Sequence, residues 1–388
     1  MAKPTILITG ARSMVALHMA RSFAENGYDV HLADCSSALM ARLSTAPRQV
    51  HTYAAPRQDT RQFYADIKKI LMQISPVAVI PTCEEVFYLA SPDLAAILKD
   101  KLFAPPLAAL KTLHAKDYFI QACSNIGIAT PETHTLANAQ ALDALGIDPR
   151  EWVFKQRYSR FGATTFVSPG KSTLAGIKYD DDNPWLAQRR VHGTEISFYA
   201  IAKAGKLVAF APYTSGWRLQ GNASYAFFAA DKAVSARLQA FAAQMAEHLV
   251  INGQFSCDMM VDAAGGVWPL ECNPRATSGL HLLSAGAHVA VCMDTDTAHC
   301  HTAYPQPRYQ LATLATYGLC KALAEGRLRE WFYLLLHGCD VMGARGDRLP
   351  LVGALIDAFI FKCTAIKNKT TLSQSTTADI EWNGEPLS

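Results

Sequence analysis

The sequence lacks the features that mark several large classes of protein. Its ten cysteines occur without CxxC spacing, which argues against a zinc ribbon or a thioredoxin-like redox motif. No apolar run approaches the roughly 18–20 residues that span a bilayer, and a net charge of +3 gives no basic footprint for nucleic acid. No signal peptide is recognised at the N-terminus, so we expect a reduced, cytoplasmic setting.

The N-terminal part of the chain predicts a Rossmann-like α/β domain. Short apolar runs alternate with amphipathic segments, which is typical of a parallel sheet covered by helices. The strands are predicted at 4–9, 28–34 and 77–81, and the helices at 15–26 and 60–73. Gly10 and Asp34 would suit an NAD(P)-dependent oxidoreductase. A G-x-G-x-x-G fingerprint, however, would need glycines where Arg12 and Val15 stand, so this interpretation is the weaker alternative.

Two acidic residues directly follow the strand predicted at 77–81. Glu84 and Glu85 come at its carboxyl end, where open α/β sheets place their ligands. Either carboxylate could therefore bind a substrate amine. The alternative is that both simply begin the next helix, where acidic side chains suit the helix dipole.

A hairpin is predicted between residues 255 and 272. The residues at 255–262 alternate as in a strand, Ala-Ala-Gly-Gly at 263–266 indicates a turn, and the return strand is expected at 267–272. Residues two apart on a strand share a face, so Glu271 and Asn273 point the same way, and the hairpin sets Asp258 opposite them. Two carboxylates and an amide oxygen suit Mg²⁺. Arg275 would add donors for a phosphate. An ordinary exposed hairpin with scattered charges is the alternative.

The spacing Asp-x12-Glu-x-Asn-Pro-Arg resembles the metal-binding end of the ATP-grasp superfamily, which includes D-alanine:D-alanine ligase, biotin carboxylase and the carbamoyl phosphate synthetase large subunit. Upstream residues occur in the family's order over roughly residues 5–300. The matching positions are Lys116, Lys155, Gln188, Val191 and Glu195. The chain departs from the family pattern at Gln156, which replaces the usual proline, and in the following lid, which has a single glycine.

The resemblance implies a role for each matched residue. Lys116 and Lys155 would bind ATP phosphates, Gln188 and Val191 would meet the adenine, and Glu195 would accept the ribose hydroxyls. Asp258, Glu271 and Asn273 would hold Mg²⁺ or Mn²⁺. Lys155, Arg275 and Arg218 would stabilise the reacting phosphoryl group. Ser278 and His281 follow Arg275 and are candidates for substrate contact, as are Glu84 and Glu85 on the argument above; a structural histidine is the alternative for His281.

The activity that the resemblance implies is an ADP-forming carbon–nitrogen ligase. A carboxylic acid would be activated as an acyl phosphate and joined to an amine such as an amino acid. Alternatives are carboxylation, carbamoyl transfer and a non-catalytic ATP-binding protein. The domains implied are a Rossmann-like domain at 1–105, two α+β ATP-grasp lobes at 106–187 and 188–305, and a mostly helical extension at 306–388.

The C-terminal extension lies outside the family pattern. The segment 352–366 is strongly apolar, and we expect it to pack in the core or in a homodimer, because no clear basic face accompanies it. A membrane or a lipid-like substrate is the alternative occupant. The polar tail at 365–388 is expected to be mobile, and residues 213–222 are expected to form a polar loop.

Overall fold

The computed structural model describes residues 3–160, 162–219, 224–288 and 300–387. Within these ranges the chain is a mixed α/β protein built on three β-sheets. None of the helices in them is long and apolar enough to cross a membrane.

The first sheet is parallel, and its central strand is buried. Its strands lie in the order β3-β2-β1-β4, and Ile6, Leu7 and Ile8 of the central strand are completely buried. The parallel α/β architecture predicted for this part is therefore confirmed. The strands are β1 Thr5–Thr9, β2 Asp29–Asp34, β3 Gln49–Thr52 and β4 Ala78–Pro81, and the helices are α1 Met14–Glu25, α2 Leu39–Arg42, α3 Thr60–Ile74, α4 Glu85–Leu89 and α5 Pro92–Leu98.

The second sheet is small and antiparallel, with the order β5-β8-β6-β7. The strands are β5 Thr133–Leu136, β6 Trp152–Gln156, β7 Thr165–Val167 and β8 Trp185–Arg189. The helices before and beside them are α6 Leu107–His114, α7 Lys116–Asn125, α8 Ala139–Leu145 and α9 Lys171–Ala175, with a 3₁₀ turn at Pro149–Glu151. The boundary expected after residue 187 falls inside β8, which pairs with β5 and β6 through Gln188.

The third sheet is large and follows the order β13-β12-β9-β10-β11-β15-β16, with β14 paired to β10. The strands are β9 Thr194–Lys203, β10 Lys206–Arg218, β11 Ser224–Ala229, β12 Gly253–Val261, β13 Val267–Asn273, β14 His301–Thr302, β15 Arg308–Tyr309 and β16 Cys339–Asp340. Helix α10 Lys232–His248 packs on this sheet, and a 3₁₀ turn spans Ser278–Leu282. The two longest strands of this sheet, β9 and β10, pair as an antiparallel hairpin.

The polar loop expected at 213–222 was wrong over most of its length. Tyr213 and Trp217 belong to β10 and pair with Ala229 and Ala226 of β11, and the Trp217 side chain is completely buried. Cross-strand packing therefore overrides the polar composition of this segment. Residues 220–222 of the expected loop lie outside the described ranges.

The C-terminal extension is mostly helical, as expected. Its helices are α11 Leu311–Thr313, α12 Leu319–Ala324, α13 Leu328–His337, α14 Pro350–Asn368 and α15 Leu372–Ser375, with a π-helical segment at Leu314–Gly318. Strands β15 and β16 tie the extension to the edge of the large sheet. The segment 352–366 makes up most of α14, and its large apolar side chains such as Leu355 and Phe359 are exposed. Packing of this segment in the core is therefore wrong, and packing in a homodimer stays a prediction.

The expectation that the tail is mobile was also wrong. Ile380 and Trp382 are almost fully buried, and the Trp382 ring stacks on Phe87 of the first domain. Asp379 binds the Arg12 guanidinium at 2.7 Å, so the tail is held at the carboxyl end of the parallel sheet by charge as well as by packing. Local composition gave no sign of these contacts because all of the partners lie far away in the sequence.

Candidate active site

The predicted hairpin is present and has the expected register. Asp258 of β12 lies directly opposite Glu271 of β13, and Ser256 lies opposite Asn273. The turn is closed by the Asp262 carboxylate, which accepts from the backbone N–H of Gly266 at 2.7 Å, and Gly265 has a left-handed φ of 81°. The hairpin therefore sets the two carboxylates side by side.

These carboxylates form the floor of a cleft of about 550 Å³ between the small and large sheets. The cleft is lined by residues from the small sheet, from the connection between the two sheets, and from the large sheet. Those that the sequence predicted are Lys155, Gln188, Val191, Glu195, Arg218, Asp258, Glu271, Asn273, Arg275 and Ser278. Residues spread over more than a hundred positions of the chain thus meet in one cleft.

Lys155 is a buried cation at the base of the cleft. Its Nζ donates to the Gln188 side-chain oxygen and to the Leu270 carbonyl, both at 2.9 Å, and only 6% of the residue is exposed. Burial lowers the pKa of Lys155 to about 8, although the Glu271 carboxylate opposes the shift. An ammonium held by neutral oxygens is available to neutralise an anion that enters the cleft.

Gln188 lies next to the Lys155 ammonium and contacts it through its side chain. Its side chain is 2% exposed and also donates to the Thr133 hydroxyl at 3.1 Å. The amide therefore positions the Lys155 ammonium, and its oxygen is already used in that contact. Gln188 and Val191 both line the cleft, and the contact of this hinge with adenine remains a prediction.

Asp258 and Glu271 are like charges held together in a buried place. Burial and the Glu271 charge raise the pKa of Asp258, which also accepts from the Ser197 hydroxyl at 2.6 Å. Burial acts against ionisation of Glu271 too, but the Lys116 and Lys155 ammonium groups lower its pKa overall. The negative charge of Glu271 is thus offset by Lys116 and Lys155.

Mg²⁺ or Mn²⁺ fits this pair on the chemistry of its donors. Asp258 and Glu271 supply carboxylate oxygens and Asn273 supplies an amide oxygen, which are the ligands that hard divalent cations take. The described ranges contain no group of three or more His, Cys, Asp or Glu side chains arranged to hold a metal ion, so a cation here would depend on the two carboxylates, Asn273 and ligand oxygens. Two carboxylates are the number that Mg²⁺ commonly takes when phosphate oxygens complete its shell.

Lys116 lies beneath the cleft and is not among the residues that line it. Its Nζ is 3.1 Å from the Glu271 carboxylate and 3.2 Å from the Ser159 carbonyl, and the residue is 5% exposed. In this structure Lys116 is a counter-ion of Glu271 and a support for the loop at Ser159. Its predicted contact with an ATP phosphate therefore remains a prediction.

The connection between the sheets forms one wall of the cleft. Val191 is half-buried there, and Gly193 packs so closely on the large sheet that an added Cβ would lie 2.1 Å from the Val261 carbonyl oxygen. Only glycine fits at that position. Next to it, the Glu195 carboxylate accepts from Arg218 at 2.9 Å, so the two residues predicted to bind ribose and phosphate are paired with each other.

Arg275 and Ser278 lie at the opposite wall. An Arg275 Nη donates to the Asn273 amide oxygen at 3.1 Å, and its Nε is 3.9 Å from the Glu84 carboxylate. With a quarter of its side chain exposed, Arg275 can present donors to a bound anion.

The substrate role predicted for Glu84 is contradicted by its contacts. Its carboxylate forms a two-pronged pair with the Arg160 guanidinium and accepts from the Trp382 backbone N–H. The residue is 4% exposed and does not line the cleft. An amine would have to displace a buried guanidinium to bind there. Glu84 therefore has a structural role, since it joins the loop at Arg160 to the C-terminal tail at Trp382.

Glu85 and His281 are also corrected. One oxygen of the Glu85 carboxyl accepts from the Thr9 hydroxyl at 2.6 Å, the side chain is completely buried, and burial raises its pKa. His281 is 1% exposed, lies 2.8 Å from His18 between ring nitrogens, and has its pKa lowered to about 3 by burial. Both side chains are core groups that do not reach the cleft.

Glu84 provides a test of stability against pH. Burial alone would raise the pKa of this carboxyl, but Arg160 overcomes that effect and holds the pKa well below its usual range. The pair therefore stabilises the fold above the unfolded pKa of about 4.3, and this contribution is lost as the pH falls toward the folded pKa. We expect Glu84→Gln to lower the free energy of unfolding by about 3–5 kcal/mol at neutral pH, because it leaves Arg160 buried without its partner.

Urea unfolding of the wild type and of Glu84→Gln across acidic and neutral pH measures the effect. The difference should shrink below about pH 4. Glu247→Gln, at an exposed position on α10, is the matched control. Equal stability of the Glu84 variant and the wild type at neutral pH would contradict the assigned pairing.

Sequence reasoning missed two residues that the site depends on. Ser197 holds Asp258 and lies two positions after Glu195 on β9, so the period of the strand could have identified it. Arg160 was visible only as part of a turn. Its partners Glu84 and Trp382 are distant in the sequence, and no local signal connects them.

No family profile matches the chain, and no curated protein matches it. Solved structures do. N5-carboxyaminoimidazole synthetase from Staphylococcus aureus has a TM-score of 0.61 at 14% identity, covering 79% of this chain and 82% of that chain. The biotin carboxylase domain of Hydrogenobacter thermophilus 2-oxoglutarate carboxylase, solved with MgADP, ADP and bicarbonate, has a TM-score of 0.62 at 10% identity and 78% and 73% coverage.

L-amino acid ligase from Bacillus licheniformis has a TM-score of 0.60 at 12% identity and covers 75% of this chain and 74% of its own. These proteins are ATP-grasp enzymes. Likeness at such identities concerns the fold, and it extends over about three quarters of the chain. The chain therefore has the fold of the ATP-grasp superfamily.

Proposed function

We propose that this protein is an ADP-forming carbon–nitrogen ligase that activates a carboxylic acid as an acyl phosphate and joins it to an amine. The observation that carries the proposal is the cleft between the lobes. A buried lysine and a half-buried pair of carboxylates face the same space, which is the charge pattern that a nucleoside triphosphate with a divalent cation requires.

Asp258, Glu271 and Asn273 would hold the Mg²⁺ or Mn²⁺. When bound, the cation supplies positive charge against the phosphate oxygens. Without the cation, the two carboxyl groups interact directly. Glu271 raises the pKa of Asp258, and the contact with Asp258 lowers the pKa of Glu271. Ser197 fixes the Asp258 carboxyl by its hydrogen bond and so sets which oxygen faces the cleft.

Lys155 would neutralise the phosphates of ATP. Gln188 and the Leu270 carbonyl hold its ammonium in place before the nucleotide arrives, so little reorganisation is needed on binding. Val191 would pack on the adenine from the connecting segment. Glu195 would accept the ribose hydroxyls. Arg218, which donates to Glu195 in this structure, would then turn toward the reacting phosphate.

Arg275 would steady the oxygens of the acyl phosphate, and Ser278 would contact the acid. The protein then acts by positioning and by charge, and the phosphoryl group passes to the substrate carboxylate without a covalent enzyme intermediate. The amine displaces phosphate from the acyl phosphate to give the amide. The departures at Gln156 and in the lid with a single glycine concern the loop that would close over these groups.

Carboxylation is the second candidate. Two of the similar structures are an N5-carboxyaminoimidazole synthetase and a biotin carboxylase domain, the latter solved with bicarbonate. The same ATP residues would serve this chemistry, with bicarbonate as the acid that is phosphorylated. The cleft described above does not distinguish the two acids.

A screen of ADP and phosphate release tests the proposal. The purified protein is incubated with MgATP and with pairs of small carboxylic acids and amino acids, with and without bicarbonate, and products are identified by mass spectrometry. We expect ADP release that requires both an acid and an amine, with an amide product. Release that requires bicarbonate would support carboxylation, and nucleotide binding without any turnover would support a non-catalytic ATP-binding protein.

A further inference from the structure

Helix α14 carries a continuous apolar face that no residue of the described ranges covers. Its large apolar side chains are spaced three and four residues apart and so share one side of the helix. Exposed fractions in this stripe range from 38% to 70%. The side chains are Leu349, just before the helix, and Val352, Leu355, Ile356, Phe359, Ile360 and Ile366. Seven neighbouring exposed side chains of this size are unusual on a protein surface that faces only water.

The opposite face of α14 is fixed on the N-terminal domain. Asp357 is 8% exposed and accepts from the backbone N–H groups of Leu39 and Met40 at 3.1 and 2.8 Å. Gly353 lies against the backbone of α2, where an added Cβ would be 2.5 Å from the Leu39 carbonyl. Because these contacts set the rotation of the helix, its apolar face cannot turn into the core.

The charges around this face have one sign. Five cations are exposed between residues 341 and 372, namely Arg345, Arg348, Lys362, Lys367 and Lys369. The only acids in that segment are Asp347 and Asp357, and both are buried and hydrogen bonded within the protein. In the sequence, the two acids offset part of the positive charge of this segment. In the structure both acids are buried, so the exposed charges of the segment are all positive.

We propose that α14 is a docking surface for an anionic phospholipid bilayer. The apolar stripe would enter the boundary between headgroups and acyl chains, and the cations at its sides and ends would meet lipid phosphates. A second copy of this chain is a poorer occupant, because a two-fold interface brings the same segment of both copies together. Cations would then face cations in either orientation of the helices, with no exposed acid of this segment to offset them.

Vesicle flotation of the purified full-length protein tests the surface. Binding is compared on phosphatidylcholine vesicles with and without phosphatidylglycerol, in the absence of nucleotide, so that the outcome does not depend on the ligase activity. The variants are Leu355→Ser with Phe359→Ser, which shortens the apolar stripe, and Lys362→Glu with Lys367→Glu, which reverses two charges. Met72→Ser on α3, at a side chain that is 76% exposed, is the matched control.

We expect binding to the anionic vesicles that weakens with added salt, and at least about a tenfold loss of partitioning in each double variant, with none in Met72→Ser. All exchanged side chains are exposed, so circular dichroism should show unchanged folding. Equal binding of the wild type and both double variants would overturn the proposal. So would failure of the wild type to bind, or a dimer in light scattering that Leu355→Ser with Phe359→Ser dissociates.

Discussion

Replacing Lys155 by alanine is expected to lower turnover by at least about two to three orders of magnitude, as loss of a principal charge stabiliser does. The ammonium is buried at the base of the cleft and held by Gln188 and the Leu270 carbonyl. Because both contacts are to neutral oxygens, its charge is available to an incoming phosphate. Lys155→Ala removes that charge and leaves both acceptors unpaired. Steady-state ADP release with the acid and amine found by screening measures the effect.

Lys171→Ala is the matched control, because this lysine is exposed on α9. It should keep the wild-type rate. Lys155→Arg should recover only part of the activity, since a planar guanidinium cannot take the place of a compact ammonium between two fixed oxygens. Near-normal turnover in Lys155→Ala would mean that the lysine has a structural role alone.

Glu271→Ala is expected to lower turnover by about two to three orders of magnitude, as is Lys155→Ala. Glu271 is one of two carboxylates that would hold the divalent cation, and it is the partner of Lys116 at 3.1 Å. Its loss therefore weakens both the metal site and the support of the loop at Ser159. Turnover measured against Mg²⁺ concentration should show a higher Mg²⁺ requirement as well as a lower maximal rate.

Two comparisons separate the metal role from a folding defect. Glu271→Gln keeps the shape of the side chain and one oxygen that can accept from Lys116. It should therefore stay folded, with a lower free energy of unfolding because Lys116 loses its carboxylate, and it should still need more Mg²⁺. Glu25→Ala, at an exposed position in α1, should leave both quantities unchanged. A Glu271→Gln protein with wild-type dependence on Mg²⁺ would contradict the assignment of this carboxylate to the metal.

The parts of the site that sequence could predict are those set by local periodicity. Alternation of apolar and polar residues placed the β12–β13 hairpin, and the period of two then set Asp258 opposite Glu271. Lys155 at the end of a buried strand was predicted in the same way. Such features depend on neighbours in the sequence, so their geometry follows from the strand itself.

The errors arose where distant parts of the chain compete for one group. Glu84 lies at a position where a ligand-binding acid is expected, but its carboxylate is already bound by Arg160 and by the Trp382 N–H of the tail. His281 follows the metal hairpin closely and still turns into the core against His18. The burial of Trp382 against Phe87, and of Asp357 of α14 against α2, likewise depends on packing that no short pattern encodes.

The most direct test of the account is a crystal structure of the protein with Mg²⁺ and a nonhydrolysable ATP analogue. The account predicts that the triphosphate lies beside the Lys155 ammonium, with the cation between it and the carboxylates of Asp258 and Glu271, and the adenine against Val191. Nucleotide bound at another place, or a cleft without nucleotide at saturating concentration, would contradict it.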